Sequence, residues 1–333
     1  MTPDGTAHRP GRGALLLLAA LGCLAPVAVL AKEPPIELGE EESIFDFLNP
    51  AHAYWSEKVS DYAGRIDRFF GDDRNFEEVN QSMLQLALTQ SFKENGDRET
   101  TFSGRARLSL PRMKERLHLL IETDPEETAL GEANTEGVVL PRDIASRESY
   151  AAALRFQRER EARWRFSLDF GARLRSGLDP YTRARGSVEK QLGFWRFKLA
   201  ESLFWFRTLG PGETTRLDIE RAMSAGAMLF RATSQATWLR DEDGFTLRQD
   251  LALFHTLNDR QALLYQISVL GTTEPVTEVE EYIALLRYRH RLHHDWLYAE
   301  ISPQMHYPIE TEYHPDPQLV LRLEMLFGAG TGM

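Results

Sequence analysis

In the stretch Ala162–Ser176, ARWRFSLDFGARLRS, the cations Arg163, Arg165, Arg173 and Arg175 share one parity with Asp169. The same spacing returns as the pairs Arg105/Arg107, Arg183/Arg185 and Arg196/Lys198, with Arg155 and Arg216 as single members and Glu189, Asp218 and Glu220 as acids. Side chains two residues apart on an extended chain project from one face. A face this rich in guanidinium groups can do one of two things. Rings of Arg lining a pore favour anions. Alternatively, Arg173, Arg183 and Arg185 can bridge Asp169 and Glu189, and Asp218 and Glu220 can pair across strands, filling an interior with ion pairs. Arg231, Arg248, Arg287, Arg289 and Arg322 extend the cationic set, and Glu122, Asp250, Glu300 and Glu324 the acidic one. Cations outnumber acids at these positions although the whole chain carries a net charge of -11, so the acid excess lies mainly in the leader and loops.

Other chemistries leave weaker traces. His118 and Glu122 share a parity, His255 has the opposite one to its charged neighbours, and His306 stands apart. None of these has a Ser or a carboxylate at a spacing that makes a hydrolase. His290, His293 and His294 cluster at a turn without the carboxylates that would complete a metal site. There is no phosphate loop, dinucleotide fingerprint or nucleophile elbow. No catalytic residue, metal or cofactor is assigned, and the acidic net charge argues against nucleic-acid binding.

The element that must carry the Arg face is a strand. Between the charges of Ala162–Ser176 stand Trp164, Phe166, Leu168, Phe170, Ala172 and Leu174. A period of two over this length is an extended chain with one greasy and one charged face. Most strands in globular proteins are about five or six residues long, whereas a tilted membrane-crossing strand needs about ten. The period recurs over 81–93, 101–110, 116–123, 149–157, 181–189, 194–207, 213–220, 228–239, 245–256, 261–270, 278–291, 296–307 and 318–327. This makes about fourteen strands, an even number, as a single-chain barrel with both ends on one side requires. Connections after strands one, three, seven, eleven and thirteen read as longer, and those between as tight turns. Glu201 falls on the apolar face of its strand, which suggests a bulge or a displaced register.

The N-terminus reads as an export signal. Arg9 and Arg12 precede the apolar run Ala14–Leu30, with small residues before Lys32. Cys23, the only cysteine, lies inside that run, where it gives a weak hint of lipidation. Residues 1–31 are therefore a signal peptide, 32–79 a periplasmic leader with an amphipathic helix, and 80–333 a barrel. In the helix, Trp55, Val59, Tyr62, Ile66, Phe69 and Phe70 recur at three- and four-residue spacing. It is expected against the periplasmic rim, with a plug in the barrel mouth as the alternative.

Amphipathic rings gather at strand ends. Trp164, Trp195, Tyr288 and Phe327 fall at the expected periplasmic end, and Trp205 and Trp238 at the outer end, as in the two girdles of a bilayer interface. The last strand, QLVLRLEMLF, ends in Phe327. Here the chain resembles Gram-negative outer-membrane β-barrel proteins, whose final strand ends in an aromatic residue read by the assembly machinery. The tail Gly328–Met333 departs from that pattern. The resemblance implies an all-β, transmembrane, antiparallel up-and-down barrel of about fourteen strands with a short N-terminal periplasmic helix. Its implied location is the outer membrane and its implied partners are lipid and the assembly machinery. The leading functional expectation is a passive or gated channel for small anionic solutes through an Arg-lined lumen. The alternatives are a closed-barrel envelope scaffold and, less favoured, an outer-membrane lipid hydrolase. Oligomeric state is left open.

Overall fold

The computed structural model describes residues 64–67, 69–70, 82–94, 96–109, 117–125, 149–160, 164–174, 177–223, 227–242, 244–292 and 296–328. The expected signal peptide, most of the expected leader and helix, residues 126–148, Arg163 and Arg175 lie outside them.

Alternating residues that are apolar on one side and charged on the other make each segment a strand whose faces want different surroundings. The strands are β1 Met83–Lys93, β2 Arg98–Ser109, β3 Leu117–Thr123, β4 Tyr150–Arg160 and β5 Trp164–Leu174. Then follow β6 Leu178–Leu192, β7 Trp195–Phe206, β8 Gly210–Met223, β9 Met228–Leu239 and β10 Phe245–Asn258. β11 Gln261–Thr272, β12 Glu278–Arg291, β13 Leu297–Pro308 and β14 Asp316–Gly328 complete the set. Every strand pairs antiparallel with its sequence neighbours, and β1 pairs with β14 to close the barrel. Closure leaves no unpaired edge. Fourteen strands form at the places where the period of two predicts them.

A twelve-residue strand such as β7 rises about 40 Å and, tilted by about 40°, spans about 30 Å, the thickness of a hydrocarbon core. The outward face is apolar and exposed over the whole circumference, with Leu88, Phe102, Leu154, Phe170, Leu203, Ile267 and Leu321 among its residues. The inward face buries its charges. No described helix is long and apolar enough to cross a membrane.

Three expectations are corrected. Glu201 needs neither a bulge nor a shifted register: β6, β7 and β8 pair without interruption through Gly186↔Glu201↔Thr215. Its carboxylate stays on the outer face and accepts a hydrogen bond from Thr215 Oγ1 at 2.7 Å. The bulge-like shifts lie elsewhere, at Thr256/Asn258 and Leu270/Gly271. The connections also do not alternate in length as expected. That after β7 is only residues 207–209, because Gly210-Pro211-Gly212 carries no apolar alternation yet pairs with Phe206, Trp205 and Phe204. Likewise Leu178–Pro180, read as a turn, is the first stretch of β6.

The third correction concerns the helix. Its described turns, 64–67 and 69–70, lie inside the barrel and not on its rim. Ile66 and Phe70 are buried against Leu229, Phe254, Leu264, Ile283 and Leu285, all of which point inward from β9 to β12. The reason is that this sector of the inner wall is apolar, so it offers the helix a dry seat that a polar rim does not.

Candidate functional site

The charged interior is built by register. Arg155, Asp169 and Arg183 stand side by side on β4, β5 and β6. Asp169 is therefore gripped from both sides: Arg155 donates from Nε to Oδ1 at 2.6 Å and from Nη2 to Oδ2 at 2.7 Å, and Arg183 donates from Nε at 3.0 Å. Arg183 reaches on to Glu122 Oε1 at 3.1 Å, which also accepts from the Tyr181 hydroxyl at 3.2 Å. Arg173 lies opposite Asp179 and donates to it at 2.7 Å. It also donates to Thr208 Oγ1 at 2.5 Å and lies over the Phe206 ring.

A second chain of charges runs across β7 to β9. Glu220 accepts from Arg196 Nε and from Arg231 Nε, both at 2.6 Å, and Arg196 also reaches Glu189 at 3.4 Å. Asp218 accepts from Arg216 Nε at 3.1 Å and from the Thr233 hydroxyl at 2.7 Å. Arg231 donates in addition to Asp67 of the helix. A third chain joins β12 to β14 and β1, where Arg289 donates to Glu300 and, at 2.9 Å, to Glu324, which also accepts from Gln85. Buried ion pairs hold only when good geometry offsets desolvation, and bidentate Arg–carboxylate contacts supply that geometry.

Most of the Arg face thus already faces carboxylates. Arg105 and Arg107 are buried on the inward side of β2, with Arg105 opposite Glu122 on β3. One sector also opens a cleft. Between β4 and β7, toward the end of the barrel where β1 starts, it is lined by Gln157, Arg165, Phe166, Ser167, Arg185, Ser187 and Lys198. Lys198 stands opposite Glu189 on β6 and Asp218 on β8. Three cations, two hydroxyls and an amide make a donor-rich surface suited to an oxyanion.

The ring-bearing residues lie near strand ends. Trp164 projects outward at the β1-start end with 61% of its surface exposed. Trp195, Tyr288 and Phe327 lie at the same end, with Trp195 under the Arg221 guanidinium at 5.2 Å and Phe327 stacked on Trp296 at 5.2 Å. Trp205 and Trp238 stand at the opposite end. Asp67, Asp179 and Thr208 complete the networks and were missed in the sequence. Asp179 was legible, since it lies two and four residues before Tyr181 and Arg183 on the same parity.

His255 faces outward opposite Met228 and Leu263. His306 faces inward, bonded to Glu281 at 2.8 Å and Gln304 at 3.0 Å. His118 is buried opposite Arg155. Among the described residues no group of His, Cys, Asp and Glu is placed to hold a metal ion; His293 and His294 lie outside them.

A closed antiparallel wall, apolar outside and charged inside, with β1 starting and β14 ending at the same side, is now defined. This is the architecture of an outer-membrane β-barrel. Solved barrels are similar in overall architecture. A bacterial polysaccharide outer membrane secretin matches with a TM-score of 0.45 at 10% identity, over 74% of this chain and 99% of that one. OprB of Pseudomonas putida matches with 0.44 at 8%, over 78% and 97%. The KdgM porin in complex with disordered oligogalacturonate matches with 0.37 at 6%, over 73% and 99%. Likenesses at this level say nothing of what passes through the present barrel. No protein-family model matches the chain, and no curated protein matches it in sequence.

Proposed function

We propose that this barrel sits in the outer membrane and conducts small anionic solutes, with the end where β1 starts facing the periplasm. The observation that carries the reading is the cleft lined by Arg165, Arg185 and Lys198, where three cations converge beside Ser167 and Ser187 on the inward face. Arg165 and Arg185 are only half-buried, whereas Arg173 and Arg183 are fully buried in the wall. Selectivity is therefore assigned to the cleft, which a solute can reach. In this reading residues 1–31 direct export, the outward Leu, Phe and Trp residues meet lipid, and β14 with Phe327 engages the assembly machinery.

The test is reversal potential in a planar bilayer under a salt gradient. Replacing Arg165, Arg185 and Lys198 together by Gln should reduce the preference for chloride, whereas Arg173→Gln should leave it near wild type. An unchanged reversal potential in the triple variant rejects the cleft as the filter. The second reading, a closed-barrel scaffold, is favoured by the helix inside the lumen. A folded barrel that never conducts, with or without the helix, would support it.

A further inference from the structure

We propose that the helical segment around Ile66, Asp67, Phe69 and Phe70 is the gate of this channel, seated in the lumen by an apolar patch and latched by Asp67 to Arg231. The proposal rests on the channel reading above and names the element that closes it.

The inner wall is the first argument. Inward positions of a water-filled barrel are polar, yet two patches of this wall are apolar. One, with Leu120, Tyr181, Phe204, Phe206 and Leu239, packs among wall residues alone. The other, from β9 to β12, presents Leu229, Phe254, Leu264, Ile283 and Leu285. Left bare in a wet lumen, such a patch is unfavourable in proportion to its area. Ile66 and Phe70 cover it. Phe70 meets Phe254 edge-on at 5.3 Å, and Phe69 meets Tyr298 edge-on at 5.7 Å. The sequence of the wall therefore encodes a seat for this helix.

The second argument is that the seat survives without its occupant. Removing one partner of a buried ion pair ordinarily strands the other charge. Arg231 escapes this, because Glu220 Oε1 still accepts from its Nε at 2.6 Å when Asp67 leaves. The two aromatic platforms are braced in the same way from the wall itself: the Arg231 guanidinium lies 5.0 Å from the centre of the Phe254 ring, and that of Arg289 lies 4.2 Å from the centre of the Tyr298 ring. Docked and undocked states both keep the barrel's charges satisfied, which is what a two-state element requires.

The third argument is position. The helix occupies the β9–β13 side, whereas the cationic cleft lies on β4–β7. A helix with side chains is about 10–12 Å across, so leaving the lumen should raise conductance on the order of twofold or more.

A reducible cross-link tests this. In a Cys23→Ser background the double variant Phe69→Cys/Tyr298→Cys is bridged by a short disulfide-containing bis-thiol reagent, the bridge is confirmed by mass, and single-channel conductance is recorded before and after reduction. Low conductance when bridged, rising severalfold on reduction, supports the gate. Equal conductance in both states overturns it while leaving the channel reading intact. Asp67→Asn with Phe70→Ala is the second variant, expected to open more often without reductant. Silence of every variant and of wild type, with heat-modifiable gel migration proving a folded barrel, overturns the channel reading and the gate together.

Discussion

Replacing Asp169 by Asn should destabilise the barrel more than any other single loss of a carboxylate in β4–β6. Asp169 accepts three N–H groups, two from Arg155 and one from Arg183, and the side chains of the first pair are 3% and 1% exposed. An amide keeps one acceptor and turns a donor toward two guanidinium groups. Arg183 retains Glu122 and the Pro125 carbonyl, whereas Arg155 loses its bidentate partner. Breaking a buried pair from one side costs about 3–5 kcal/mol. The control is Asp241→Asn, whose pair with Arg240 is 61% and 66% exposed and is worth about 0–1 kcal/mol. The assay is urea unfolding in lipid vesicles, followed by fluorescence of the six tryptophans. A cycle with Arg155→Gln should yield a coupling of about 2–3 kcal/mol, at the high end for contacting residues. If Asp169→Asn lies within about 1 kcal/mol of wild type, water reaches and screens the pair, and the claim that Arg155, Asp169 and Arg183 brace the wall is wrong.

Further outcomes follow from single contacts. Gly171→Ala should cost about 1–3 kcal/mol, because a Cβ there would lie 2.6 Å from the Ala152 carbonyl oxygen and 2.9 Å from the Tyr181 ring; Gly186→Ala, with open space at its Cβ, is the control in the same unfolding assay. Glu201→Leu should stabilise the barrel in vesicles by about 1–2 kcal/mol, since an acid on the lipid face is unfavourable, though less so than Arg or Lys; no gain would mean that a partner covers this face. Phe327→Ala should lower the amount of folded barrel assembled in cells while leaving refolding into detergent nearly unchanged, as scored by heat-modifiable migration.

The strands were legible because each is written in its own residues: Trp195 to Phe206 alternates whether or not its neighbours are known. The parity that buries Arg155, Arg173, Arg183 and Arg196 was legible for the same reason. The partner of each Arg was not, because Arg155, Asp169 and Arg183 meet only through the registers of three strands, and register depends on turn lengths that no single strand encodes. Pairing of Gly210-Pro211-Gly212 was hidden because neither glycine nor proline carries a hydropathy signal. The seat of the helix could have been suspected from the odd parity of Leu229 and from Phe254 and Leu264, which put apolar side chains where neighbouring strands put charges. Two adjacent faces were then both apolar, and the period alone could not say which one met lipid.

The closing pair β1–β14 makes the last strand a condition for a sealed wall. Glu324 lies in the last thirteen-residue strand and is fully buried, and it accepts from Arg289 and from Gln85. The same strand supplies the hydrogen-bonding edge for β1 from Met83 to Lys93. A barrel lacking β14 would therefore carry two open strand edges, and Arg289 would keep Glu300 of β13 but lose Glu324. Open edges of this kind invite pairing with other chains. β14 is thus the keystone of the ring, set by backbone and charge at once.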